Sequence, residues 1–199
     1  MSERRKKIGV FGGSFNPIHI GHTSLANWIC EYAGIDEVWF VVSPLNPLKD
    51  GLGMLSDIAR MDMVRKAIAG YDRFAACDVE MHMPRPSYMV NTLSKLREEH
   101  PMHDFILIIG ADNWDVFDRW HGYREILAST EILIYRRTGV AIDISTLPEN
   151  VRLLETPVIE ISSSFIRTAI AGGHDVRYFL HPDVWAAIER HGYYKKTSL

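Results

Sequence analysis

The sequence predicts an α/β protein: an open parallel sheet with helices packed on both faces. Three observations carry that expectation. Strand-like and helix-like segments alternate along the chain. The strongest strand candidate, "DFILIIG" (104–110), is apolar throughout, as a parallel strand covered on both faces must be. Glycines follow the first strand candidate just before a helix, and in such sheets ligands bind at the carboxyl ends of the strands, where the chain order reverses.

The elements follow in order. "KIGVF" (7–11) reads as a buried strand. Leu25, Trp28, Ile29 and Tyr32 recur at helical spacing, which predicts a helix from about His22 to Ala33. "EVWFVVS" (37–43), rich in β-branched and aromatic residues, is the second strand. Two prolines and two glycines make "PLNPLKDGLGML" (44–55) a long loop. Ser56 can cap a helix that carries Ile58, Met61, Val64 and Ile68 on one face. "RFAAC" (73–77) is a weaker strand candidate, and Ser87 is placed to cap the helix "YMVNTLSKLREEH", which ends before Pro101. After "DFILIIG", "EILIYRR" and "VRLLE" read as further strands. "SSSFIRTAIAGG" has a serine at its start and glycines at its end, the signature of a short helix. "PDVWAAIERHG" is a closing helix with proline near its start, and "TGVAIDISTLPENV" reads as a surface excursion.

Composition narrows the classes. The 199 residues suit one domain; 47 % hydrophobic and 24 % charged residues are ordinary for a soluble globular chain. A net charge of −3 gives no global pull towards nucleic acid or an anionic membrane, so an anionic ligand needs a local positive site. Cys30 and Cys77 lack metal-ligand spacing and read as buried reduced thiols. No run approaches the roughly 18 apolar residues of a membrane helix, and the basic start "MSERRKK" leads into a strand rather than a signal peptide's apolar core. A cytoplasmic protein is expected. The pattern leaves a homo-oligomer open.

The chemistry concentrates in "GGSFNPIHIGH" (12–22). Neither GxGxxG nor GxxxxGK[ST] fits it. Gly12 and Gly13 let a ligand approach the backbone, and His19 and His22, three apart around Gly21 at a helix start, can face one volume. Free N–H groups at the helix tip add positive potential there, and an imidazole can donate to a phosphate oxygen. Helix capping or packing would explain a single histidine; a metal site would need a third ligand, and none is evident. Further on, Ser163 and Arg167 lie four apart if Ser162 caps its helix. Arg167 can then reach back to the free N–H groups and complete an anion trap; a capped helix with an exposed arginine is the alternative.

"GGSFNPIHIGH" resembles the signature of the HxGH nucleotidylyltransferase superfamily, and within it the bacterial nicotinate-nucleotide adenylyltransferase family, which reads FGGxFDPxHxGH. Asn16 stands where that family has Asp. "ISSSFIR" (161–167) is similar to the family's late motif. "RPSYMVNTL" (85–93) resembles RxSYTxDTL, with Met89 and Asn91 in place of Thr and Asp, and "IGADNWDVFDRWHGYREI" (109–126) resembles IGADxxxxxxxWxxxxxI. The likeness implies a Rossmann-like nucleotidylyltransferase fold with a small C-terminal helical part, as one domain over 1–199. It implies catalytic roles for His19, His22 and Arg167, and an ATP site formed by Gly12, Gly13, Ser14, Gly21, Gly110, Asp112, Ile161, Ser162 and Ser163. Asp112 would bind a ribose hydroxyl. Lys49, Arg85, Ser87, Tyr88, Met89 and Trp120 would hold nicotinate mononucleotide, Trp120 by stacking on the pyridine ring; read unaided, Trp120 suits core packing better, and Lys49 suits a solvated loop nearly as well. Mg2+ would arrive with ATP, with no dedicated metal site on the protein. Nicotinamide mononucleotide or another phosphate-bearing acceptor as substrate, or a non-catalytic nucleotide sensor, are the alternatives.

Overall fold

The computed structural model describes residues 4–44 and 54–196. Six parallel strands form one sheet: β1 (Lys6–Gly13), β2 (Glu37–Val42), β3 (Phe74–Cys77), β4 (His103–Gly110), β5 (Ile132–Tyr135) and β6 (Val151–Leu154). Their spatial order is β3-β2-β1-β4-β5-β6. The order reverses between β1 and β4, where Phe11 pairs with Ile108, and the switch point therefore opens beside the glycines that end β1.

Alternation along the strands builds two cores. On one face Phe11, Ile106, Ile108, Leu133 and Tyr135 pack with buried residues of α1 (Ile20–Tyr32) and α2 (Asp57–Ile68), and with α6 (Ser163–Ala171) and α7 (Pro182–His191). On the other face Ile8, Val10, Phe105, Leu107, Ile109, Ile132 and Ile134 pack under α3 (Met89–Glu99), α4 (Ala111–Trp114) and α5 (Tyr123–Ser129). Both faces being covered explains why "DFILIIG" has no polar alternation.

Local signals set several helix ends. The Ser56 hydroxyl accepts from the Ala59 N–H at 3.3 Å, and the Ser162 hydroxyl from the Phe165 N–H at 3.1 Å. Pro182 opens α7 and Gly192, at φ 66°, closes it in the left-handed region.

Four details correct the sequence reading. Helix α1 begins at Ile20 rather than His22, which makes His19 its N-cap. Ser87 does not cap α3: Tyr88 holds that position, and the Ser87 hydroxyl donates instead to Glu80 Oε2 at 2.9 Å. Ile58 is 81 % exposed and Tyr32 73 % exposed. In α2 the buried stripe runs through Arg60, Met61, Met63, Val64 and Ile68, one step round the helix from Ile58. Cys30 is buried but Cys77 only half-buried; burial pushes both thiols up to about 11, so both stay protonated. Among the described residues no helix is long and apolar enough to cross a membrane.

Candidate active site

The site grows from the end of β1. Beyond Gly13 the chain turns through Ser14, Phe15, Asn16, Pro17 and Ile18 before α1 starts, and all of these but Ser14 are buried. Side chains from elsewhere hold this loop by its carbonyl oxygens. Arg60 donates to the Ser14 carbonyl, Arg167 Nη1 to the Asn16 carbonyl at 2.8 Å, and Ser163 Oγ to the Pro17 carbonyl at 2.9 Å. In a planar trans peptide the N–H opposes the C=O, so the Phe15 and Ile18 N–H groups point away from these grips.

Asn16, the departure from the family pattern, is 2 % exposed. Its Oδ1 accepts from the Tyr194 hydroxyl at 2.8 Å and from the Leu55 N–H at 3.3 Å. An amide oxygen meets both donors as a carboxylate would, without burying a charge.

His19 and His22 lie together, their ring centroids 3.7 Å apart and tilted by 31°. A Cβ on Gly21 would come within 3.0 Å of His19 Nδ1, so glycine is what lets the first ring lie across the helix tip. The His22 ring packs against Phe11 and Phe15. Burial, with help from the Arg137 charge, lowers the His19 pKa to about 4; burial, then His19 and Arg137, holds His22 well below the usual imidazole range. Both rings are neutral at pH 7. The His19 N–H donates to His22 Nδ1 at 3.2 Å, which leaves the His22 proton on Nε2 as a donor. His19 Nδ1 is buried with no hydrogen-bond partner among the described residues.

Sequence reasoning passed over Arg136 and Arg137, although two adjacent arginines at the carboxyl end of a parallel strand are themselves a signal. The Arg137 guanidinium sits 5.1 Å from the Tyr135 ring centroid, donates to the Tyr135 hydroxyl at 3.2 Å, and places Nε 3.6 Å from Asp112 Oδ1. That Nε is buried without a hydrogen-bond partner. His19 and Arg137, which carry these two unpartnered atoms, both line one cavity of about 440 Å³, with His22, Gly21, Ile161, Ser162 and Phe165.

Two further cavities continue the groove. A central one of about 160 Å³ shares Phe11 and Tyr135 with the first and adds Gly12, Gly13, Gly110 and Met89. It shares Ser43, Met89 and Trp120 with a third, of about 440 Å³, lined by Arg85, Ser87, Tyr88, Arg119 and His121. In that third cavity Tyr88 and His121 pair at 4.4 Å, while Trp120 leans on Phe117 at 5.4 Å: it is both packed and part of the wall. Ser163 and Arg167 are not in the lining; they brace the loop from behind. Asp112 stands in the first turn of α4, half-exposed. Lys49 lies outside the described residues.

Comparison with known proteins identifies the family and the fold. The cytidylyltransferase-like family model matches residues 10–169. The chain is 53 % identical, over 96 % of its length and 95 % of the relative's, to a Bacteroides thetaiotaomicron protein named "Probable nicotinate-nucleotide adenylyltransferase". A Bacteroides fragilis protein of the same name is 52 % identical over 92 % of both chains. The solved Plasmodium falciparum nicotinic acid mononucleotide adenylyltransferase, complexed with NaAD, superposes with a TM-score of 0.80 over 95 % of this chain and 97 % of that one; at 23 % identity this likeness speaks for the fold. With this fold, this loop and these relatives, the chain belongs to the nicotinate-nucleotide adenylyltransferases of the cytidylyltransferase-like family.

Proposed function

We propose that the groove binds MgATP at its histidine end and nicotinate mononucleotide at its tryptophan end, and that it joins them into nicotinate adenine dinucleotide and pyrophosphate. A phosphate oxygen of the mononucleotide attacks the α-phosphorus, and the bond from that phosphorus to the oxygen bridging the α- and β-phosphates breaks. The attacking oxygen is already anionic at neutral pH, so no protein nucleophile or general base is required. What the chain supplies is alignment of two anions that repel and stabilisation of charge on the transferring and leaving groups.

His22 Nε2–H donates to the α-phosphate side, with His19 beside it. Arg137 offers the nearest cation, and the N-termini of α1 and α6 add partial positive charge. Arg167 and Ser163 act through the loop: by holding the Asn16 and Pro17 carbonyls they keep its backbone in place for the phosphates. Gly12, Gly13 and Ser14 give the phosphates access to the loop backbone, while Gly110 and Asp112 face the sugar side. Among the described residues no three His, Cys, Asp or Glu side chains converge to hold a metal. Magnesium is accordingly written as part of the ATP substrate, where it neutralises triphosphate charge. At the other end Tyr88 and Trp120 offer faces to a pyridine ring; Arg85 and Arg119 suit an acceptor bearing both a phosphate and a ring carboxylate. Two protonated thiols fit a reducing cytoplasm.

The shared walls of the three cavities are the observation that carries this reading, because they give two anionic ligands one continuous path to each other. The test is pyrophosphate release with nicotinate and with nicotinamide mononucleotide. A higher kcat/KM for the acid is expected, by up to about 10⁴-fold where a site is built to bond a group that the analogue lacks. Equal values for the two would remove the ring carboxylate from the reading.

A further inference from the structure

Arg60 is 0 % exposed, the largest fully buried side chain among the described residues. A charge is so placed only when it is paired and bonded, and its partners are not scattered. One Nη donates to the Ser14 carbonyl in the loop after β1. The other donates to the Ser43 carbonyl at 2.8 Å, just past β2, and to Asp57 Oδ1 at 2.6 Å; Nε donates to the Leu55 carbonyl at 3.1 Å. Asp57 Oδ2 in turn accepts from Arg85 at 2.7 Å. Ser43 and Arg85 line the mononucleotide cavity, whereas Ser14 belongs to the loop beside the histidines. One planar guanidinium thus joins a wall of the acceptor cavity to the donor loop.

We infer that Arg60 is a positioning residue for the transfer: its fork fixes the donor loop and the acceptor wall as one piece, and the Asp57 it shares with Arg85 sets the acceptor-side cation. This rests on the functional reading above. Arg60 turns the Ser14 carbonyl inward, so the following N–H faces the opposite way. Lysine keeps the charge but lacks the planar fork that bonds several carbonyls at once.

Pyrophosphate release is measured for wild type, Arg60→Lys and Asp57→Asn, varying MgATP and nicotinate mononucleotide separately, with thermal unfolding of each protein. Arg60→Lys should lower kcat/KM for both substrates by on the order of 10²-fold, the scale of a small misplacement of reacting groups. Asp57→Asn keeps the three carbonyl bonds of Arg60 and should raise KM for the mononucleotide by about tenfold while KM for ATP moves less than about twofold. A structural role alone would lower the unfolding temperature without splitting the two KM values. The inference is overturned if Asp57→Asn shifts both KM values alike, or if Arg60→Lys keeps wild-type kcat/KM while only its unfolding temperature falls. Should Arg60→Lys fail to fold, the Asp57→Asn split decides by itself. If wild type releases no pyrophosphate from these substrates, the functional reading falls and takes this inference with it.

Discussion

The two ends of the groove are built differently. At the donor end the polar groups come mainly from backbone and from buried side chains: a loop clamped by Arg60, Arg167 and Ser163, and a histidine that is 5 % exposed. At the acceptor end side chains make the wall, several of them half-exposed, with Tyr88 against His121 and Trp120 against Phe117. A triphosphate is a fixed array of charge, and dipoles held in place before it arrives stabilise it most. A planar ring needs only matching faces, which exposed aromatic side chains provide. The donor end should therefore govern kcat and the acceptor end KM for the mononucleotide.

His22→Ala breaks that division if it is wrong. Loss of one donor aimed at developing charge should lower kcat by roughly 10²–10³-fold, with KM for the mononucleotide nearly unchanged. Wild-type turnover by this variant in a pyrophosphate-release assay would take His22 out of the chemistry.

Burial of the histidine pair also has a cost in acid. The His19 pKa is lowered from 6.5 to about 4 by burial and then by Arg137. The unfolded chain therefore takes up the proton first. Stability is complete above about pH 6.5 and declines as pH falls from 6.5 towards 4, by about 2 kcal/mol at pH 5. The lowered value at His22 acts in the same direction. Urea unfolding at pH 7 and pH 5, for wild type and His19→Asn, measures the difference. An equally large acid loss in the variant would mean that other groups carry it.

How much of this was legible depended on whether a residue's neighbours in sequence were also its neighbours in space. The strands could be read because each is a short apolar run, and α6 because its Ser162 cap and closing glycines are local. The histidine loop could be read for the same reason. Arg60 could not: its partners are the carbonyls of residues 14, 43 and 55, and nothing in those residue types announces them. A trace did exist, since Arg60 lies three and four residues before Met63 and Val64 on the buried stripe of α2. Ser87 misled because a serine before a helix resembles a cap, while Glu80 competed for its hydroxyl from outside the helix. For Ser163 and Arg167 the spacing places both on one helix face, but nothing local names the carbonyls they hold.

Trp120→Ala sharpens the contrast at the acceptor end. Stacking of a base on an aromatic ring is worth about 1–3 kcal/mol, so affinity for the mononucleotide should fall by about tenfold or more while ATP affinity stays nearly intact. Because Trp120 also packs on Phe117, titrations of both ligands are needed. Equal losses would make it a packing residue only.

The smallest expected effect lies where the two ends meet. A Cβ added to Gly12 would come within 2.9 Å of Met89 Cε, the free end of a flexible side chain. Met89 lines both the central and the acceptor cavities. Gly12→Ala should therefore be tolerated, but by displacing the Met89 terminus into the cavity proposed for the mononucleotide. A rise of a few-fold in its KM is expected, with kcat nearly constant. In Gly12→Ala combined with Met89→Ala the displaced group is gone, and the double-mutant cycle should give a coupling of about 0.5–1 kcal/mol, the lower end of the range for residues in contact. Additive effects would mean that the donor loop and the acceptor wall do not communicate through this contact, leaving Arg60 and Asp57 as the link between them.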